Sequence, residues 1–162
     1  MTLFEQGCTF GGKVPGGEEC CINIGWHSIN NTNQTIPTST WTWLDLTVKR
    51  DEYPVGSCNL ATDTWTCPTE GRYSLTSHIQ MECYFGYTTV AIELWKNTAM
   101  VAQHTSYNTF DSIHACNLCL VDWFQPGDYF KIRMWQDSGG NANLLSATCE
   151  QNFFSGAIIY QN

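Results

Sequence analysis

Strict two-residue alternation is the feature that most limits what this chain can fold into. Tyr73, Leu75, Ser77, Ile79 and Met81 fall on one side of an extended chain, and Arg72, Ser74, Thr76, His78 and Gln80 on the other. Successive side chains of a strand point to opposite faces, so this stretch reads as a strand with one face in a core. Related patterns recur at Cys20–Trp26, Trp41–Val48, Asp63–Cys67, Thr88–Lys96 with Val90, Ile92 and Leu94 inward, Cys116–Phe124, Tyr129–Gln136 and Phe153–Tyr160. Turn formers separate them. Asn30–Gln34 is a polar loop, Pro68–Gly71 and Gln125–Asp128 are turns, and Asn97-Thr98 is a tight hairpin into Met100–His104. Asp51–Thr62, Tyr107–Ile113 and Asp137–Asn143 read as loop or turn. No stretch sustains a helical period. Many short strands without helices give an all-β sandwich or jelly roll.

Residues 1–33 stand apart as a short irregular arm. It carries Gly11-Gly12, Pro15 and Gly16-Gly17, with a possible first strand at 20–26, ahead of a jelly-roll domain at 34–162. A chain of 162 residues buries roughly 70% of its unfolded surface and needs no metal or disulfide to make a core. The arm is too short and Gly-rich to build its own. Yet Leu3, Phe4 and Phe10 are each worth roughly 1.5–3 kcal/mol when buried. The arm is therefore expected to dock on another protein surface. Its opening residues have neither a basic stretch nor an apolar run, so a secretory signal is expected to be absent or already removed.

Only 14% of residues are charged, against about 25% in ordinary domains, while 43% are hydrophobic and 14% aromatic. Surface of that kind is usually covered by a subunit interface. The net charge of −8 argues against nucleic acid and against an anionic membrane surface. No apolar run approaches the roughly 18 residues of a membrane span.

The chain has nine cysteines, an odd count. Cys116 and Cys119 form a C-x-x-C, but no second pair stands at zinc-ribbon spacing, and a strand puts the two on opposite faces. Buried or disulfide-bonded thiols fit better than a metal or redox site. Cys8, Cys20 and Cys21 are expected to include an interchain or arm-to-domain bond. His27, His78, His104 and His114 sit in no nucleophile motif. Asp137–Asn141 lacks the spaced carboxylates of a calcium loop, and the Gly pairs of the arm lack a phosphate loop's Lys-Ser/Thr. No catalytic residue, cofactor or metal is assigned.

Four short stretches carry a resemblance. They are Trp65–Tyr73, with Pro68, Gly71 and Tyr73; Leu94-Trp-Lys96-Asn97; Pro126-Gly127-Asp128-Tyr129; and Phe153–Tyr160. In this order they resemble the globular trimeric heads of complement and tumour necrosis factor (TNF). Gln34-Thr-Ile36-Pro37-Thr-Ser-Thr-Trp41-Thr42 and Gln136-Asp-Ser-Gly-Gly140 resemble the version of that fold in bacteriophage structural proteins, so the likeness spans about residues 34–162. It implies a ten-stranded antiparallel jelly-roll sandwich and a homotrimer with the last strand near the threefold axis. Phe154, Gly156, Ile158 and Tyr160 are then trimer-interface residues. They could equally fill the core, because both faces of that strand are apolar. The implied role is a capsid decoration (cement) protein on the outer surface of the virion, partnered by the major capsid protein. A fibre tip or receptor-binding protein, and a secreted complement-head-like binding module, are the alternatives. The module would use Asn30-Asn-Thr32 and Asn33-Gln-Thr35 as glycan acceptors.

Overall fold

Thirteen strands form two antiparallel sheets in the computed structural model, which describes residues 24–83, 88–108, 112–145 and 152–161. In chain order they are β1 (Gly25–Ile29), β2 (Thr35–Ile36), β3 (Thr42–Trp43), β4 (Val48–Tyr53), β5 (Cys58–Asn59), β6 (Thr64–Thr66), β7 (Gly71–Cys83), β8 (Thr88–Lys96), β9 (Ala99–Asn108), β10 (Ser112–Phe124), β11 (Tyr129–Gln136), β12 (Ala142–Leu144) and β13 (Phe153–Tyr160). The first sheet runs β10-β7-β13-β1-β4, with β12 beside the far end of β7 and β2 outside it. The second runs β9-β8-β11-β6-β5, with β3 also against β11. Three of the thirteen are two-residue pieces, and β4 and β12 fall partly where the sequence read loop or turn, at 51–62 and 137–143.

Several boundaries differ from the sequence reading. The first described strand is 25–29 rather than 20–26. It lies inside the first sheet between β13 and β4, so the sandwich begins ahead of residue 34. The alternating run Trp41–Val48 is not one strand. Leu44 and Leu46 enter the core, but the N–H of Asp45 donates to Gln34 Oε1 and that of Leu46 to Asp63 Oδ1. Side chains there take the donors a ladder would use. The region read as a loop at 107–113 is strand at both of its ends, because β9 runs to Asn108 and β10 starts at Ser112.

The core fills the space between the sheets. Tyr73, Leu75, Ile79 and Met81 of β7 and Val90, Ile92 and Leu94 of β8 are all fully buried, on the faces their alternation dictates. Trp26 stacks on Trp65 with ring centroids 3.6 Å apart and planes 12° off parallel, and Phe154 meets Trp26 edge-on. Phe124 and Phe130 close the end beside Tyr73.

The stretches that resemble known heads act as polar staples. Gln34 donates to the carbonyl of Trp43 at 2.6 Å, and its backbone carbonyl accepts from Leu144. Gln136, fully buried, donates to the carbonyls of Ile36 and Gly140 and accepts from Ser138. Asn97, at φ 54°, holds the β8–β9 turn, donates to Asp128 Oδ1 and accepts from Tyr129 N–H. Asp128 also takes Lys96 Nζ at 2.7 Å and Gln125 N–H at 3.0 Å. Burial opposes ionisation of Asp128, but these donors outweigh it and hold its carboxyl below the usual range. A depressed carboxyl contributes stability that is complete above its unfolded pKa, about 3.9, and is lost as pH falls through the lower folded value. Asp128→Asn should therefore cost about 1.5–3 kcal/mol at neutral pH, the worth of hydrogen bonds to a charged group. The gap between variant and wild type should close below pH ~4. Thermal unfolding across that range checks it, and a pH-independent gap contradicts the account.

Candidate functional site

The side chains singled out from the sequence divide between core and surface. Phe154 is 1% exposed and Gly156 is enclosed by Trp26 and Leu75, so both belong to the sandwich core rather than to an axial face. Ile158 packs against the same core. Tyr160 alone of the four expected interface residues is well exposed, at 56%. The physical reason is strand phase: Trp26, from the neighbouring β1, reaches over Gly156 and fixes that side of β13 inward. Leu3, Phe4, Phe10, Cys8, Cys20 and Cys21 lie outside the described residues.

Cys116 is buried and Cys119 exposed, as opposite strand faces require. Cys58, Cys67, Cys83, Cys116 and Cys119 are all free thiols. Burial pushes Cys83 and Cys116 up to about 11, which leaves them unreactive. His114 is buried, and burial lowers its pKa, so it is neutral. His78 Nδ1 meets Asn117 Oδ1 at 2.6 Å, and His104 Nδ1 meets the carbonyl of Asn117. Asp137 accepts the N–H of Thr89 at 2.5 Å, which ties its turn to β8. Among the described residues no three His, Cys, Asp or Glu side chains gather as a metal site. Asn30 is 2% exposed and its amide donates to Gln34 Oε1, so it is closed to glycan, whereas Asn33 is exposed.

Two broad outer faces remain. On the first sheet, register places Tyr160, Arg72 and Trp123 in one row across β13, β7 and β10. Ala157, Ser74 and Val121 form the next row, followed by Ser155, Thr76 and Cys119. The middle of this face is thus small and flat. Its ends carry exposed apolar groups: Val121 42%, Ile113 50%, Ile159 50% and Tyr160 56%. A depression of about 650 Å³ lies among Arg72, Asp122, Trp123, Ile159 and Tyr160. The Trp123 indole N–H donates to Glu70 and its ring sits 6.1 Å from Tyr160, so this end is pre-shaped.

The outer face of the second sheet is aromatic. Trp41, Trp43, Trp95 and Trp135, four of the seven tryptophans, lie there around β11. Arg133 is in the middle, its Cζ 4.2 Å from the Trp95 ring centre, 4.6 Å from Trp41 and 5.7 Å from Trp43. Its Nε–H donates to Glu93 Oε2 at 2.5 Å, and the Trp95 indole N–H donates to the same oxygen at 2.7 Å. Lys131 Nζ lies over Trp43. The sequence reading missed this cluster. The signal was present: with Ile132 and Met134 inward, Lys131, Arg133 and Trp135 must face out, and with Leu94 inward, Glu93 and Trp95 must too.

A jelly-roll sandwich with two developed outer faces is thus the class of protein on the page, and comparison with known proteins agrees on the fold. No protein-family model matches the chain, and no curated protein matches its sequence. Among solved structures, the TNF Eiger of S. frugiperda aligns with a TM-score of 0.64 at 12% identity, covering 86% of this chain and 94% of that one. The globular domain of zebrafish complement 1qA protein aligns at 0.59 and 14% identity, covering 86% and 99%. The chain shares the TNF-like jelly-roll fold of both.

Proposed function

We propose that this chain is a non-enzymatic binding module that works as a homotrimer, and that it serves as a decoration protein on the outer surface of a bacteriophage capsid. One observation carries the trimer: the small, flat outer face of β7, β10 and β13, with Val121, Trp123, Ile159 and Tyr160 left half-exposed at one end. A second copy covering that face removes the apolar area a lone subunit leaves in water. The fold likeness to a TNF and a complement head supports the same assembly. The capsid role rests on the stretches at Gln34–Thr42 and Gln136–Gly140, and on a short Gly-rich arm suited to draping over a neighbour. A complement-head-like binding module is the second reading, favoured by the likeness to the zebrafish complement domain and by the exposed Asn33.

Light scattering should give a mass three times the 18.3 kDa of the chain, and a stable monomer at micromolar concentration refutes the trimer. Purified trimer should sediment with undecorated capsids at many copies per particle, and deletion of residues 1–19 should leave the trimer intact but weaken that binding. Failure of the full chain to bind capsids, with glycan found at Asn33, establishes the second reading instead.

A further inference from the structure

The outer face of the second sheet combines half-exposed indole surface with a charged pair, Arg133 and Glu93, whose side chains are 23% and 6% exposed. Trp41 and Trp43 are 36% and 38% exposed, in a chain whose Trp26 and Trp65 are almost wholly buried. Arg133 has its Cζ against the Trp95 and Trp41 rings, and its side chain is 23% exposed, so part of the guanidinium remains to meet a ligand. Glu93 spends one carboxylate oxygen, Oε2, on Arg133 Nε and Trp95 Nε1. Among the described residues neither Nη of Arg133 nor Oε1 of Glu93 has a hydrogen-bond partner. Both groups are fixed, the one by ring contacts and the Glu93 bond and the other by two donors, so little side-chain freedom is left to lose on binding.

We propose that this face is a saccharide-binding site for a neutral pyranoside, whose C–H face lies on Trp41 and Trp43 and whose adjacent hydroxyls bridge Arg133 and Glu93. The chemistry is specific to that class. A hydroxyl is both donor and acceptor, so neighbouring hydroxyls match a pair made of a pure donor and a pure acceptor. The ring's C–H face is apolar and flat, and matches an exposed indole. Charge selects a neutral ligand. Arg133 and Glu93 cancel, Lys131 has Asp63 within electrostatic reach, Asp45 lies close to Asp63, and the chain carries −8 overall. An acidic sugar or a nucleic-acid strand meets no net positive field here. Every group named belongs to one subunit, so the inference stands whether or not the chain is a trimer. A trimer would offer three such sites together.

The test is titration of the full chain with hexasaccharides of glucose, mannose, galactose and N-acetylglucosamine, with a uronic hexasaccharide as the acidic arm, read by indole N–H resonances. At least one neutral hexasaccharide should move the signals of Trp41, Trp43, Trp95 and Trp135 and leave those of Trp26, Trp65 and Trp123 in place. Trp43→Ala and Glu93→Gln should each weaken binding by about tenfold or more, a loss of some 1.4 kcal/mol. The proposal is overturned if no neutral hexasaccharide shifts these four indoles, if only the uronic one does, or if the variants bind as wild type. Should a variant fail to fold, the pattern of wild-type indole shifts decides by itself.

Discussion

Gly156→Ala is expected to destabilise the fold by at least about 3 kcal/mol, at the upper end of what overpacking a core costs. A methyl at this position would fall inside the van der Waals envelope of the Trp26 ring and 2.8 Å from Leu75 Cδ2. Neither neighbour has room to yield. Trp26 is stacked on Trp65 and met edge-on by Phe154, and all four side chains are almost wholly buried. The sign is informative, because in an open strand glycine to alanine stabilises, by roughly 0.5–1 kcal/mol. A smaller ring partner should relieve the clash. Trp26→Leu alone leaves a cavity and costs several kcal/mol. The double variant Trp26→Leu/Gly156→Ala should then be more stable than the sum of the two losses. Urea unfolding of the four proteins measures the coupling. Additive losses, or a stabilised Gly156→Ala, would show that Trp26 does not dictate the glycine.

This pair also shows what the sequence could and could not disclose. The inward faces of β7 and β8 were legible because β7 sets an apolar side against a polar one and β8 sets Val90, Ile92 and Leu94 against a side that holds Thr89 and Glu93, so Leu75, Ile79, Ile92 and Leu94 could be placed without knowing their neighbours. The turn at Asn97-Thr98 was legible because asparagine tolerates positive φ. At β13 the same logic fails. Phe153, Ser155, Ala157 and Ile159 are nearly as apolar as Phe154, Gly156 and Ile158, so alternation does not choose a face. What chooses is Trp26 on β1, distant in sequence and brought beside Gly156 only by the strand pairing. The aromatic cluster was hidden for a related reason. Each tryptophan's outward phase follows from its own strand, but that β3, β8 and β11 lie side by side and put Trp43 opposite Arg133 and Arg133 opposite Glu93 is a matter of register between strands.

Val121→Asp is expected to convert the proposed homotrimer to monomers at micromolar concentration. Val121 faces outward on β10 in a row with Ser74 and Ala157, which hold no charge to answer a carboxylate. In an isolated subunit it is 42% exposed, so aspartate there stays hydrated and the monomer fold is left intact. In the assembly each subunit would bring one carboxylate into a closed apolar contact. An uncompensated buried charge costs on the order of 3–5 kcal/mol, and each 1.4 kcal/mol is tenfold in the association constant. A loss of that size per subunit contact exceeds what a modest interface can absorb. Arg72 stands in the adjacent row and could reach an aspartate diagonally, which is why Val121→Lys belongs in the same experiment. Burial in an apolar contact penalises either sign, whereas rescue by Arg72 works only for the acid. Val101→Asp is the matched control, an exposed valine on β9 of the other sheet, and it should remain trimeric. Light scattering reports the mass, and circular dichroism confirms that each variant is folded. If both charged variants at Val121 stay trimeric, the subunits meet elsewhere, and the apolar end at Trp123 and Tyr160 is left for a partner other than a second copy of this chain.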